Sequence, residues 1–257
     1  MAGDTLDPIR RPYTVDDLRA AAGADVTATI LVQTVSSVAE TEEFLAVAEK
    51  SGGLITGVVG WLDLTAPDLA RLRTVPGGHL LVGIRHQVED EPDPDWLLRN
   101  DVRSGLRAVG AAGLVYDLLV RAPQRPAAYA VARQLPDVRF VLDHAGKPGI
   151  ATGEWEGWAS WIQDLARLPN VACKLSGLIT EADWGSWSAS TIRPYAEHVL
   201  GCFGPDRVLF GSDWPVCELA GTYADVLGLV DGLLSGLSEG ERANIMGANA
   251  IRVYQGP

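Results

Sequence analysis

Short apolar runs alternate with amphipathic stretches along nearly the whole chain. Seven runs have strand length: residues 27–35 (TATILVQTV), 54–62 (LITGVVGWL), 79–88 (HLLVGIRHQV), 114–121 (LVYDLLVR), 138–144 (VRFVLDH), 171–178 (VACKLSGL) and 207–213 (RVLFGSD). Each is apolar on both faces, as strands covered on both sides of a parallel sheet should be. Between them, residues 38–50 place Phe44, Leu45, Val47 and Ala48 on one side and Glu40, Glu42, Glu43 and Glu49 on the other, which predicts a helix. Residues 96–112, 125–135, 155–168, 191–203 and 224–234 read the same way, with a short helix in 66–73. Residues 12–25 are also helical. A last helix over 238–250 opens with Ser238 three positions before Glu241, the spacing of a capping box.

Alternating strand and helix predict a parallel sheet, and about eight units predict a (β/α)8 TIM-type barrel, one domain spanning residues 1–257. No G-x-G-x-x-G follows the first run, which removes the dinucleotide-binding fingerprint. The count stops at seven strands, with the first strand of an eight-fold barrel missing. An incomplete barrel leaves two sheet edges and part of the interior open, and such edges favour self-association into a homo-oligomer.

With 21 Lys and Arg against 33 Asp and Glu, the net charge is -12. That excludes the basic face that nucleic acid or an anionic membrane requires. It leaves room for an anionic small molecule held by a few cations. Cys173, Cys202 and Cys217 show no metal spacing and read as reduced buried thiols. No signal-peptide pattern opens the chain, and no run of eighteen apolar residues occurs. The expected location is the cytoplasm.

Barrel chemistry collects where strands end. There the chain places Gln33, Trp61 with Asp63, Arg85 with His86, Tyr116 with Asp117, Asp143 with His144, Lys174 with Ser176, and Ser212, Asp213 and Trp214. Lys50, Lys147 and Lys174 are the chain's three lysines. Lys174, flanked by apolar residues, needs an anionic partner: a carboxylate such as Asp213, or substrate. His144 enters a Gly/Pro turn and suits a metal ligand or proton shuttle. Asp213, after the apolar Val208, Leu209 and Phe210, then Gly211 and Ser212, suits a general base on water or a metal ligand. Arg85 and His86 are strand neighbours, so both reach the mouth only if the strand has already ended. Nucleophile-elbow, Walker and H-E-x-x-H patterns are absent.

The segments FVLDHAGKP, VACKLSGL and VLFGSDWPV, in that order on successive strands, resemble the amidohydrolase-related lactonases of the amidohydrolase superfamily. GIRHQVEDEPDPDWL and YDLLVR extend the likeness to the L-fuconolactonase-like branch. The resemblance implies a (β/α)8 barrel that hydrolyses a small-molecule sugar lactone. It implies that Asp213 activates water, that His144 lines the site, and that Lys174, Arg85 and His86 polarise the carbonyl or hold substrate oxygens. Lys147, Tyr116, Trp61 and Trp214 join Arg85 as expected substrate-binding residues. Relatives bind one divalent metal, zinc or manganese, or none; here Asp213 and His144 would hold it.

One family feature is absent. The family's first strand ends in a His-x-His pair, whereas the first histidine here is His79, and LDPIRRPYTVDDL resembles the segment just after that pair. A start assigned too late, a shortened chain or a true loss each accounts for this, and the coincidence with the sequence start favours the first. Two other functions stay open: a barrel remnant that binds a ligand or partner without turnover, and a metal-dependent decarboxylase.

Overall fold

A computed structural model describes residues 4–256. Seven parallel strands lie side by side in chain order: β1 Thr29–Val32, β2 Ile55–Gly60, β3 Leu81–Gln87, β4 Val115–Leu119, β5 Phe140–Leu142, β6 Val171–Leu175 and β7 Val208–Phe210. Among the described residues no pairing joins β7 to β1, so the sheet curls as an open barrel. The helices are α1 Val15–Ala22, α2 Val38–Lys50, α3 Leu69–Thr74, α4 Asn100–Ala111, α5 Arg125–Gln134, α6 Glu156–Ala166, α7 Ala189–Phe203, α8 Tyr223–Leu233, α9 Glu239–Ala243 and α10 Asn249–Gln255.

Several expected elements differ from the structure. The 96–112 stretch breaks at Arg99 (ψ 143°), leaving a 3-10 turn before α4. His79 lies in a 3-10 turn, so β3 starts at Leu81. The last helix is split by a π turn at Asn244–Ala248 and runs on to Gln255, although the Ser238–Glu241 capping box forms as expected. Residues Asp4–Ile9, where the sequence offers no strand, form a 3-10 helix.

Pleating sorts the strand residues into two layers. Ile84, Tyr116, Leu118, Phe140, Leu142 and Cys173 face the helices in the large outer core. Val59, Val82, Val115, Val141, Ala172 and Leu209 fill the barrel interior together with Tyr254 from α10. The C-terminal helix also covers one edge: the Asn249 amide donates to the Val208 carbonyl of β7 at 2.7 Å. At the other edge, all four residues of β1 are half-buried.

Candidate active site

The inward positions just above the apolar interior carry charge. Lys174 of β6 donates to Asp117 of β4 at 2.5 Å and to Asp143, just past β5, at 2.7 Å. Arg85 of β3 donates to the far oxygen of Asp143 at 2.9 Å and to the Gln33 amide oxygen at 3.1 Å. Tyr254 donates its hydroxyl to Asp117 at 2.8 Å. Burial pushes the Asp143 carboxyl up, but Lys174 and Arg85 outweigh it and hold Asp143 well below the usual range. For Asp117 burial wins, and the group rises to about 6 despite Lys174. Burial works against the Lys174 ammonium too, yet the two carboxylates raise it above its ordinary value. The result is an ion-paired floor across β3 to β6.

Two loops rise above this floor. His144, Ala145, Lys147 and Asp213 are the described non-glycine residues with positive φ, between 48° and 56°. That backbone region is costly for L residues and gathers where a structure holds side chains for function. It brings His144 Nε2 to 3.8 Å from Asp213 Oδ1. The gap exceeds a direct hydrogen bond and suits a water touching both groups. On its other side, His144 Nδ1 lies 2.9 Å from Ser176 Oγ. Gly177 makes this approach feasible: its φ is +64°, and a Cβ there would stand 2.6 Å from Nδ1. Burial pulls His144 down to about 3, so the imidazole is neutral near pH 7. Burial pushes Asp213 up to about 7, against the pull of Lys147 and Arg85.

Asp213 and His144 open into a cavity of about 290 Å³. Arg121, Lys147, Thr180 and Glu181 complete its polar wall, while Leu6, Trp184, Val216 and Leu219 form an apolar one. Lys147 is gripped by Glu89 at 2.6 Å and approaches Glu181 at 4.0 Å. Arg121 bridges the same carboxylates, at 3.0 Å to Glu89 and 3.4 Å to Glu181.

Several expected positions need correction. Lys174 pairs with Asp117 and Asp143 rather than Asp213, because neighbouring strands present their inward side chains at one level and Asp213 lies beyond β7. Tyr116 points outward into the helix layer, fully buried, edge-on to Phe140. His86 also turns away from the inward face that Arg85 takes. It accepts from Trp61 Nε1 at 2.9 Å, donates through Nε2 to Glu91 at 2.7 Å, and stacks on Trp96. Trp214 donates to Glu218 at 2.8 Å and meets Tyr13 edge-on. None of Arg85, His86, Lys174, Tyr116, Trp61 and Trp214 lines the cavity. Sequence reasoning missed Arg121, Glu181 and Glu89: they sit in loops beyond strands, where charge is common and carries little signal. Ser176 is recognisable as a strand tip, but nothing in the spacing reveals the partner of its hydroxyl.

The described residues do not fit a zinc or manganese site. A catalytic zinc takes three protein ligands, and Asp213 with His144 supplies two. Among the described residues no group of three or more His, Cys, Asp or Glu is arranged to hold a metal ion. The oxygens of Asp117 and Asp143 are spent on Lys174, Arg85 and Tyr254.

An open parallel barrel with an acid–imidazole pair past the C-terminal ends of its strands is the build of a TIM-barrel hydrolase. The amidohydrolase family model matches residues 2–256, and the chain belongs to that family. It is similar to an L-fucono-1,5-lactonase of Burkholderia multivorans, 42% identical over 79% of this chain and 72% of the relative. An L-fucono-1,5-lactonase of Burkholderia ambifaria is 36% identical over 98% of this chain and 88% of its own. Among solved structures, a Burkholderia multivorans amidohydrolase with bound zinc superposes with a TM-score of 0.94 at 39% identity, covering 99% of this chain and 93% of that one.

Proposed function

We propose that the protein hydrolyses a sugar lactone, with Asp213 as the base that activates water. A water between Asp213 Oδ1 and His144 Nε2 gives a proton to Asp213 as its oxygen bonds to the lactone carbonyl carbon. His144, neutral and accepting at Nδ1 from Ser176, donates from Nε2 and orients that water. The tetrahedral oxyanion takes up the charge that Asp213 loses on protonation, so the cavity gains no net charge, and it faces the glutamate-paired Lys147 and Arg121. The ring C–O bond then breaks, the ring oxygen takes the proton back from Asp213, and a hydroxy acid leaves.

The observation that carries this reading is the Asp213–His144 pair facing a cavity with two cations in its wall. The two relatives named L-fucono-1,5-lactonase support the substrate class. Among the described residues no helix is long and apolar enough to cross a membrane, and we place the protein in the cytoplasm with a small molecule as its partner. Turnover of an aldonolactone panel tests the assignment. Activity that drops about 10²-fold or more in Asp213→Asn supports it; undiminished turnover removes Asp213 from the role. A chain that binds lactones yet opens none is a ligand-binding barrel instead, and carbon dioxide release from aromatic acids marks a decarboxylase.

A further inference from the structure

The cavity wall carries its own charge compensation. Lys147 and Arg121 reach toward the space above Asp213, but each is paired with both Glu89 and Glu181. The Glu89 carboxylate is sealed from solvent, 2% exposed, and so is the Lys147 ammonium at 5%, so salt screens neither. With both cations answered by the two glutamates, Asp213 is left over as the odd charge of the cavity. The surface around it belongs to a chain of net charge -12. A substrate bearing its own carboxylate would meet no free cation here and would stand near Asp213 and Glu181, where like charges repel across a low-dielectric space. A neutral polyol finds donors and acceptors on the same wall without that cost.

We infer that the Glu89–Lys147–Glu181–Arg121 quartet restricts this cavity to uncharged polyhydroxy lactones and turns away lactones that carry a second acid group, with Glu181 as the determinant. Glu181 is the reachable half of the acidic pair, since it lines the cavity whereas Glu89 does not and is 2% exposed. The inference rests on the lactonase reading for the word lactone, and on the ion pairs alone for the selection by charge.

The test compares a neutral aldonolactone with a monolactone that keeps a free carboxylate, in the full chain, in Glu181→Gln and in Arg121→Gln. Calorimetric binding of the matching neutral and carboxylate-bearing sugar lactams runs in parallel, because binding reports on the wall even if no lactone is opened. The parent protein should favour the neutral ligand by about 10²-fold in kcat/KM and in Kd. Glu181→Gln should narrow that preference about tenfold in lactam Kd, by tightening the charged lactam more than the neutral one. Arg121→Gln should widen it. Circular dichroism confirms that each variant is folded. Equal or preferential binding of the charged lactam by the parent protein overturns the inference, as does a preference unmoved in both variants. Loss of all turnover with the binding preference intact would overturn the hydrolase reading and leave the charge selection standing.

Discussion

His144 Nε2 and Asp213 Oδ1 stand 3.8 Å apart, each on a residue with left-handed backbone. The two loops that carry them follow β5 and β7, so the pair depends on the barrel's curvature bringing non-adjacent strand ends together. Its immediate consequence concerns pH. With Asp213 raised to about 7 and acting as base, the active form is the ionised carboxylate. We therefore expect kcat/KM to fall tenfold per pH unit well below 7 and to level off above it. His144, at about 3, stays neutral across that range and adds no limb of its own. A flat profile between pH 5 and 8 with a non-ionising substrate would exclude Asp213 as the base.

The same group has an opposite effect on stability. Its folded pKa lies above the ordinary value of 3.8, so between about pH 4 and pH 7 the folded state binds more proton than the unfolded one. Stability from this group is complete below the lower value and is lost as pH rises through the upper one. Asp213→Asn removes that loss. The variant should be more stable than the parent at pH 8 by about 1–4 kcal/mol, the top of that range being the free energy of moving a carboxyl from 3.8 to about 7. At pH 3.5 the two should be nearly equal. Urea titrations at the two pH values measure the difference.

Lys174 supports the barrel floor and takes no part in the cavity wall. Lys174→Met leaves Asp117 and Asp143 buried and facing each other without their shared cation, a break that costs about 3–5 kcal/mol. We expect unfolding free energy from urea titration to fall by that amount at pH 7. Adding Asp117→Asn should restore part of it, since Asp117 is the carboxylate left without a cation while Asp143 keeps Arg85 at 2.9 Å. A Lys174→Met protein of parental stability would show that the floor is not held by this ion pair.

Much of the barrel is legible in the sequence because both-faced apolar runs and amphipathic stretches are properties of local spacing. All seven strands fall within the predicted runs, although β5 and β7 shrink to three residues each. The site is only partly legible. Asp213 and His144 can be singled out because charge at the end of an apolar run is unusual. Their 3.8 Å meeting cannot, since it depends on residues adopting positive φ, which no spacing signals in non-glycine side chains. Lys174 is recognisable as needing an anion, yet the choice among Asp117, Asp143 and Asp213 is made by level along the barrel: Lys174 stands beside Leu209 of β7, four residues short of Asp213. His86 and Tyr116 fail for a simpler reason: adjacent strand residues point to opposite faces, and Arg85 and Asp117 hold the inward ones.

Gly177 offers the sharpest separation of site geometry from stability. Its φ of +64° makes an alanine there strained by about 1–2 kcal/mol. The added Cβ would also lie 2.6 Å from His144 Nδ1, closer than atoms tolerate, with Ser176 on the same side of the ring. The imidazole must then swing away, and a misplacement on the order of 1 Å at a reacting centre costs about 10²-fold in rate. Gly177→Ala should therefore lose activity out of proportion to its melting temperature, with kcat falling and the binding of a neutral sugar lactam little changed. A variant that keeps full kcat would mean that His144 tolerates displacement and does not orient the attacking water.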